Sequence, residues 1–205
     1  MNSPPPRHSI EVFEQAGVRY LHFGTEWIQG AMRVARPWSL ELDYTREMMA
    51  ALLLRPGDDW PARALIIGLG AGSIAKFLYR HRPAARLDVV EINPEVVALA
   101  RHAFRVPEDD GRLCVHRADG AAFVKTGRTR YDCILVDGFD HRARAGALAT
   151  EAFYRDCRKR LSRRGLLVAN RSLSVNAAGA PCQRLLEVET YRMLALLGLP
   201  EAQRL

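Results

Sequence analysis

The stretch Arg63-Ala-Leu-Ile-Ile-Gly-Leu-Gly-Ala-Gly-Ser73 decides how this chain folds. An apolar run from Ala64 to Ile67 leads directly into closely spaced glycines, and residues 74–79 then show helical spacing. This order predicts a strand, a glycine-rich turn and a helix. Glycine tolerates positive φ and lets a ligand approach the backbone, while the helix N-terminus offers unpaired N–H groups. The candidate binding residues of the turn are Gly68, Gly70 and Gly72.

A carboxylate at the end of the next strand extends this candidate site. The second apolar run, Leu87 to Val90, ends in Glu91, which lies 19 residues after Gly72. An acidic residue at the tip of the second strand is placed to accept hydrogen bonds from both hydroxyls of a ribose. The alternative is a glycine turn that serves only to pack the helix closely on the strand.

Strand and helix patterns alternate from Ala64 onwards. We expect strands at 64–68, 87–91, 113–117, 131–136 and 165–170, and helices at 73–81, 94–104, 119–126 and 150–161. This alternation predicts an α/β fold with a mostly parallel sheet and helices on both faces. Ligands of such sheets bind outside the carboxyl ends of the strands, which is where the glycine turn and Glu91 fall.

Two further carboxylates follow predicted strands. Asp119, before Gly120, is placed to accept a hydrogen bond from an adenine amine, although Asp is also a favoured helix N-cap. Asp137 closes a very apolar strand, and Asp140 follows three residues later. Partial desolvation raises the pKa of such a carboxylate and suits Asp137 to proton acceptance. The alternative is a turn-forming Asp before Gly138.

The segment before the glycine turn has a different pattern. Residues 1–9 are Pro-rich, and we expect them to be disordered. Residues 10–60 predict a small β-hairpin or meander, followed by a helix over 42–54. Residues 61–205 are predicted to form one nucleoside-binding domain. After residue 183 the apolar spacing is nearer helical than strand-like, so the C-terminus is expected to be helical.

Charge and cysteine usage favour an intracellular small-molecule protein. The net charge of +7 comes from scattered arginines without interleaved aromatic residues, so a nucleic-acid partner is not expected. The four cysteines lack CxxC spacing and are interpreted as buried apolar groups, with no metal site. The first residues lack the apolar region of a signal peptide, and no run reaches membrane-spanning length. We therefore expect a cytoplasmic protein with no membrane partner.

Several of these motifs together resemble the spermidine synthase family, the polyamine aminopropyltransferases. The resemblance covers about residues 18–170 and rests on the stretches 27–32, 44–49, 68–73, 90–94, 118–120, 131–137, 153–154 and 161–167. It implies a Rossmann-like fold of the class I methyltransferase type. It also implies decarboxylated S-adenosylmethionine as the donor, methylthioadenosine as a product and a small-molecule amine as the acceptor.

The resemblance also assigns roles to individual residues. Gln29 would contact the nucleoside, Glu91 its ribose, and Asp119 and Gly120 its adenine. Asp137 would be the proton acceptor of the attacking amine. Tyr44 and Asp140 would bind that amine.

The chain departs from the family pattern in the acceptor half of the site. Ala71 stands where the family's glycine motif usually carries a polyamine-gripping Asp, Thr45 replaces a His, and His141 replaces a Pro. These departures argue against putrescine as the acceptor, and Ala71 also removes a repulsion against ordinary S-adenosylmethionine. Three hypotheses stay open: an aminopropyltransferase-like enzyme, an S-adenosylmethionine-dependent methyltransferase of a small molecule, and a non-catalytic nucleoside-binding homologue.

The C-terminal departure leaves an edge of the sheet to be covered. Family members complete the sheet with two more strands, which the spacing after residue 183 does not predict. An exposed edge, the C-terminal helix or a partner subunit in a homodimer are the alternatives.

Overall fold

The computed structural model describes residues 9–24, 28–55, 57–138 and 145–170. The strands in these ranges are β1 (Glu11–Gln15), β2 (Val18–His22), β3 (Ile28–Arg33), β4 (Arg63–Ile67), β5 (Arg86–Glu91), β6 (Leu113–Arg117), β7 (Tyr131–Val136) and β8 (Leu161–Ala169). The α-helices are α1 (Asp43–Ala50), α2 (Ser73–His81), α3 (Pro94–His102), α4 (Gly120–Thr126) and α5 (Glu151–Arg160). Short 3-10 helices span Ala51–Leu54 and Gly146–Ala149. None of the helices described is long and apolar enough to cross a membrane.

The central layer is a five-stranded parallel sheet in the order β6-β5-β4-β7-β8. Apolar side chains of α1, α2 and α3 pack on one face of it, and those of α4 and α5 pack on the other. The predicted α/β class is confirmed, and the three central strands β5, β4 and β7 are mostly buried, as expected for a parallel sheet covered on both faces. The order places β4 in the middle, so the glycine turn that follows β4 lies between the ends of β5 and β7.

The N-terminal strands form a separate antiparallel sheet in the order β1-β2-β3. The β1–β2 turn has φ of 50° at Ala16 and 74° at Gly17, the positive values that a two-residue hairpin turn needs. Strand β3 lies against the glycine turn, where the Ser73 hydroxyl donates to the Ala31 carbonyl at 3.2 Å. This sheet therefore borders the region in which the ligand is expected.

Several element boundaries differ from the sequence-based predictions. Helix α1 ends at Ala50 and continues as a 3-10 turn, so the helix predicted to residue 54 is shorter. The predicted hairpin or meander is a three-stranded sheet, whose last strand, β3, runs to Arg33. Strand β8 begins at Leu161, but residues 162–165 bulge before regular pairing resumes. The predicted disorder of residues 1–8, Asp140 and the predicted C-terminal helix lie outside the described residues.

Candidate active site

The candidate site is built at the carboxyl ends of three neighbouring parallel strands. Backbone hydrogen bonds hold these ends in register: Gly68 N–H donates to Val90 O at 2.9 Å and Asp137 N–H to Ile67 O at 2.8 Å. The end of β8 is held in the same way, because the Asn170 N–H donates to Val136 O at 2.8 Å. Because β4 lies between β5 and β7, the glycine turn has one strand-end carboxylate on each side.

The shape of the glycine turn follows from close packing at two of its glycines. Gly68 has φ of 94°, and a Cβ there would overlap the Asp137 carbonyl oxygen. Gly72 has φ of 68° and precedes α2, and a Cβ there would overlap Val106. Close packing therefore accounts for glycine at these two positions, and their proposed contact with a ligand stays a prediction. At Gly70 the nearest atom to an added Cβ is the Gln29 carbonyl oxygen at 3.1 Å, so β3 lies directly beside the turn.

Glu91 lies at the end of β5 with its carboxylate fixed by backbone groups. Leu69 N–H donates to Oε2 at 3.0 Å, and Asn93 N–H donates to Oε1 at 2.8 Å. The residue is buried, with 9% of its surface exposed. A carboxylate has about four lone-pair sites, so both oxygens keep capacity for a further donor. Glu91 thus joins the glycine turn to the start of α3 in one fixed geometry.

Asp119 is the N-cap of α4, as the structural alternative predicted. Its Oδ1 accepts the Ala122 N–H at 2.7 Å, and the residue is exposed. The next residue, Gly120, packs closely on the end of β4, since an added Cβ would lie 2.5 Å from Ile67 Cγ2. The capping bond uses only Oδ1, so the second carboxylate oxygen of Asp119 can still accept a hydrogen bond from a ligand. The adenine contact stays a prediction.

Asp137 lies at the end of β7 between two neutral hydrogen-bond donors. The Tyr44 hydroxyl donates to Oδ2 at 3.2 Å, and Asn170 Nδ2 donates to Oδ1 at 2.7 Å. Burial raises the pKa of Asp137 to about 7, although both hydrogen bonds act to lower it. Burial, and then the nearby carboxylate, hold the pKa of Tyr44 well above its ordinary value, so its hydroxyl keeps its proton. A carboxyl group with a pKa near neutrality can accept and release a proton at working pH.

Two residues at this edge were missed by the sequence reasoning. Asn170 ends an apolar strand as Asp137 does, and that shared position was the signal that could have identified it. Ile92 follows Glu91 and is 67% exposed, so an apolar side chain lies open to solvent beside this strand end. Both are now placed beside the predicted carboxylates.

Comparison with known proteins identifies the family. A model of the spermine/spermidine synthase domain matches residues 43–178. The chain belongs to the spermine/spermidine synthase family. A polyamine aminopropyltransferase of Chromobacterium violaceum is 41% identical over 187 residues, covering 91% of this chain and 70% of that protein. A polyamine aminopropyltransferase of Neisseria meningitidis serogroup A is 38% identical over 187 residues, which again cover 91% of this chain and 70% of that protein.

A solved structure shares the fold of this family member. The crystal structure of a "probable spermidine synthase" from Corynebacterium glutamicum superposes with a TM-score of 0.70 at 22% identity. The match covers 83% of this chain and 63% of that chain. The crystal structure of human Methyltransferase-like protein 13 also superposes, with a TM-score of 0.54 at 25% identity over 62% of this chain and 64% of that chain. The Rossmann-like, methyltransferase-type architecture expected from the resemblance is thereby confirmed.

Two of the three positions at which this spermidine synthase family member departs from the pattern lie in the described residues, Ala71 and Thr45, and both are buried. His141 lies outside the described residues. Ala71 is 2% exposed and packs with Leu21, Met32 and Phe104 between the N-terminal sheet and the main domain. Thr45 is buried, and its hydroxyl donates to the Leu42 carbonyl within its own helix. An Asp at position 71 would therefore place a charge in an apolar cluster, which is costly.

A second group of polar side chains lies on the α4 side of the sheet, before the strand ends. Asp88, Cys114 and His116 bring ligand-type atoms within 4.8 Å of one another, a cluster that the expectation of no metal site did not foresee. Asp88 Oδ1 is 2.8 Å from His116 Nε2, and its Oδ2 is 3.7 Å from Arg63 Nε. Asp88 therefore already has cationic or hydrogen-bonding partners within the sheet.

Two other cysteines agree with their interpretation as buried apolar groups. Cys133 and Cys157 are buried free thiols. Burial raises the pKa of each to about 12, so both thiols stay protonated. Cys182 lies outside the described residues.

Proposed function

We propose that this protein transfers an aminopropyl group from decarboxylated S-adenosylmethionine to an amine. Membership of the spermine/spermidine synthase family supports the reaction class. The observation that carries the proposal is Asp137, a strand-end carboxylate whose pKa lies at about 7 and whose neighbours are neutral donors. The reaction needs such a group because a protonated alkylamine is not a nucleophile.

In the proposed reaction, Asp137 takes one proton from the acceptor's ammonium group. The freed lone pair of the nitrogen forms a bond to the propyl carbon attached to sulfur. The carbon–sulfur bond breaks, and its electron pair stays on sulfur, so the sulfonium becomes the neutral thioether methylthioadenosine. The positive charge moves to the new secondary ammonium. Because the sulfonium is already a good leaving group, the protein's main tasks are deprotonation and alignment.

The donor half of the site is proposed to bind the nucleoside. Glu91 would accept hydrogen bonds from the ribose hydroxyls, and Gln29 would contact the nucleoside from β3, which borders the glycine turn. Asp119 and Gly120 would contact the adenine. We add Ile92 to this set, because its exposed side chain gives the flat base an apolar surface to pack on.

The acceptor is proposed to be a cationic amine other than putrescine. Tyr44 would bind the reacting nitrogen of the amine together with Asp137, to which its hydroxyl is hydrogen-bonded. Ala71 and Thr45 face apolar or backbone groups and supply no carboxylate or imidazole for a second amino group. The proposed grip of Asp140 on the amine concerns a residue outside the described ranges.

The test is an assay of methylthioadenosine release from the decarboxylated donor with a panel of mono-, di- and triamines. Release with at least one amine, and weaker release with putrescine, is the expected result. Ordinary S-adenosylmethionine is run in parallel, because Ala71 does not repel its carboxylate. If it yields S-adenosylhomocysteine while no amine releases methylthioadenosine, the protein is a methyltransferase. Nucleoside binding without either product would identify a non-catalytic homologue.

A homodimer is proposed as the cover for an edge of the main sheet. Strands β6 and β8 are the edge strands of that sheet within the described residues. Edge strands expose unpaired backbone groups that a second subunit can cover. Light scattering after size exclusion should give twice the mass of one chain, and a monomer mass at all concentrations would contradict the dimer.

A further inference from the structure

Asn170 lies at the carboxyl ends of the strands, directly after β8, and has no role in the proposed reaction so far. Its backbone N–H donates to Val136 O at 2.8 Å, which fixes it beside the end of β7. Its side-chain Nδ2 lies 2.7 Å from Asp137 Oδ1. The contact joins residues 33 positions apart in the chain, so it depends on the pairing of β8 with β7.

The orientation of the Asn170 amide follows from its neighbour. An ionised carboxylate only accepts hydrogen bonds, so the NH2 group of the amide must face Asp137. The amide oxygen then points away from that carboxylate. Among the described residues this Oδ1 atom is buried and has no hydrogen-bond partner. A buried acceptor without a donor costs free energy, and such atoms in native proteins call for an explanation.

We propose that Asn170 is a positioning residue of the transfer reaction: its amide nitrogen fixes the Asp137 carboxylate, and its amide oxygen accepts an N–H of the attacking amine. The inference rests on the proposed function, since it concerns the amine that Asp137 deprotonates. It assigns the unpaired Oδ1 a partner that is present only when the acceptor is bound.

The reaction geometry gives this second acceptor a purpose. After Asp137 removes one proton, the amine nitrogen keeps two hydrogens and one lone pair. The lone pair must point at the propyl carbon, so the orientation of the two hydrogens sets the line of attack. One hydrogen bond to Asp137 leaves the nitrogen free to rotate about that bond. A second hydrogen bond to Asn170 Oδ1 removes this rotation.

Tyr44 and Asn170 face the carboxylate from different elements. Tyr44, on α1, donates to Oδ2, and Asn170, at the end of β8, donates to Oδ1. Both are neutral, so each stabilises the ionised form of Asp137 by hydrogen bonding without a counter-charge. Loss of either donor should therefore make Asp137 hold its proton at higher pH.

The test uses Asn170→Leu, which keeps the size but removes both polar atoms, and Asn170→Ala as a second variant. Ser162→Ala is the matched control, because Ser162 lies on β8, the strand that Asn170 directly follows, and donates to another carboxylate, Asp132, at 2.8 Å. The pKa of Asp137 is followed in each protein without substrate by carbon-13 NMR of the carboxyl groups, with Asp137→Asn giving the assignment. Thermal unfolding and methylthioadenosine binding check that each variant is folded.

In both Asn170 variants the pKa of Asp137 should rise by about one unit, and the control should leave it unchanged. An unchanged or lower value in folded variants overturns the positioning role, and this readout needs no catalysis. If no amine proves to be a substrate, the proposed function fails. The pKa measurement still tests the positioning role of Asn170 in that case.

With an active acceptor, kinetics test the amide oxygen. The Asn170 variants should lower kcat/KM for the amine roughly tenfold or more beyond the effect of pH, with methylthioadenosine affinity unchanged. The acid limb of the rate should move to higher pH in parallel with the NMR value. Equal losses in amine and nucleoside affinity would show a merely structural role and overturn the assignment of Oδ1.

Discussion

Glu91 and Asp137 are carboxylates at the ends of two strands that flank β4, yet their surroundings differ. Backbone N–H groups of Leu69 and Asn93 hold the carboxylate of Glu91. Side chains of Tyr44 and Asn170 hold that of Asp137. Backbone donors belong to elements that cannot rotate away, whereas side-chain donors can reorganise when a ligand arrives.

This difference agrees with the proposed roles of Glu91 as a binding carboxylate and Asp137 as a proton-transfer carboxylate. Two backbone N–H groups hold Glu91 in one position, which suits a fixed hydrogen-bond acceptor for a ligand. Asp137 has two neutral donors and a pKa of about 7, which suits a group that changes its protonation state during a reaction. The five predictions that follow test this comparison and its extension to Asp119.

The largest effect is expected from Asp137→Asn. The amide has almost the same shape but cannot take a proton at neutral pH, so the acceptor amine stays protonated. Turnover should fall by about 10²–10⁴-fold, the usual contribution of a positioned base. Methylthioadenosine affinity, measured by calorimetry, should stay nearly unchanged, because the nucleoside is assigned to the Glu91 side. Wild-type turnover in this variant would exclude Asp137 as the proton acceptor.

The pH dependence of the wild-type rate tests the same group without a mutation. Since Asp137 must be ionised to act as a base and its pKa is about 7, kcat/KM should fall as pH drops below 7. The fall should be about tenfold per unit, hence roughly a hundredfold at pH 5. Nucleoside affinity over the same range should change little. A rate that is flat between pH 5 and 8 would contradict the assignment.

Stability provides the control for this pH effect. The folded-state pKa of Asp137 is raised above its unfolded value, so its contribution to stability is present at low pH and is lost as pH rises through 7. Asp137→Asn carries no charge at any of these pH values. Its melting temperature relative to wild type should therefore increase between pH 5 and pH 8, as differential scanning calorimetry can measure.

A smaller effect is expected from Glu91→Ala. The variant removes two proposed charge-assisted hydrogen bonds to the ribose, each worth about 1.5–3 kcal/mol. Methylthioadenosine affinity should fall at least roughly tenfold, since about 1.4 kcal/mol is a factor of ten. Glu91→Gln keeps one carbonyl acceptor and should lose less. Because Glu91 also accepts bonds from Leu69 and Asn93, circular dichroism must confirm folding; full affinity in a folded Ala variant would refute the ribose role.

The smallest effect is expected from Asp119→Ala. Loss of the bond to Ala122 N–H should cost about 1 kcal/mol of stability, as for other N-caps. If Asp119 also binds adenine, methylthioadenosine affinity should fall a further few-fold, roughly as for one net hydrogen bond. Asp119→Ser, which can cap the helix, separates the two roles. Restored stability with weak binding supports the adenine contact, whereas restoration of both leaves Asp119 as a cap alone.

The sequence predicted most of the fold because its signals are local. The apolar runs, the glycine turn and the helix start at Pro94 each depend on a few adjacent residues, and all appear where the patterns placed them. The misplaced boundaries have physical reasons. The end of α1 tightens into a 3-10 turn, and residues 162–165 of β8 leave the regular register. The register of β8 is set by its pairing with β7. The local sequence pattern of β8 contains no information about that pairing.

What the sequence determined by itself is which carboxylates lie at strand ends, because hydrophobic runs and turn residues fix where a strand stops. Only the tertiary structure decided what surrounds each carboxylate. Tyr44 reaches Asp137 across 93 positions, and Asn170 reaches it because β8 pairs with β7. The tertiary structure also decided that Ala71 of the glycine turn packs in an apolar cluster with Leu21, Met32 and Phe104. Hydrogen bonds and burial depend on strand order and helix docking, and these are settled only when the whole chain packs.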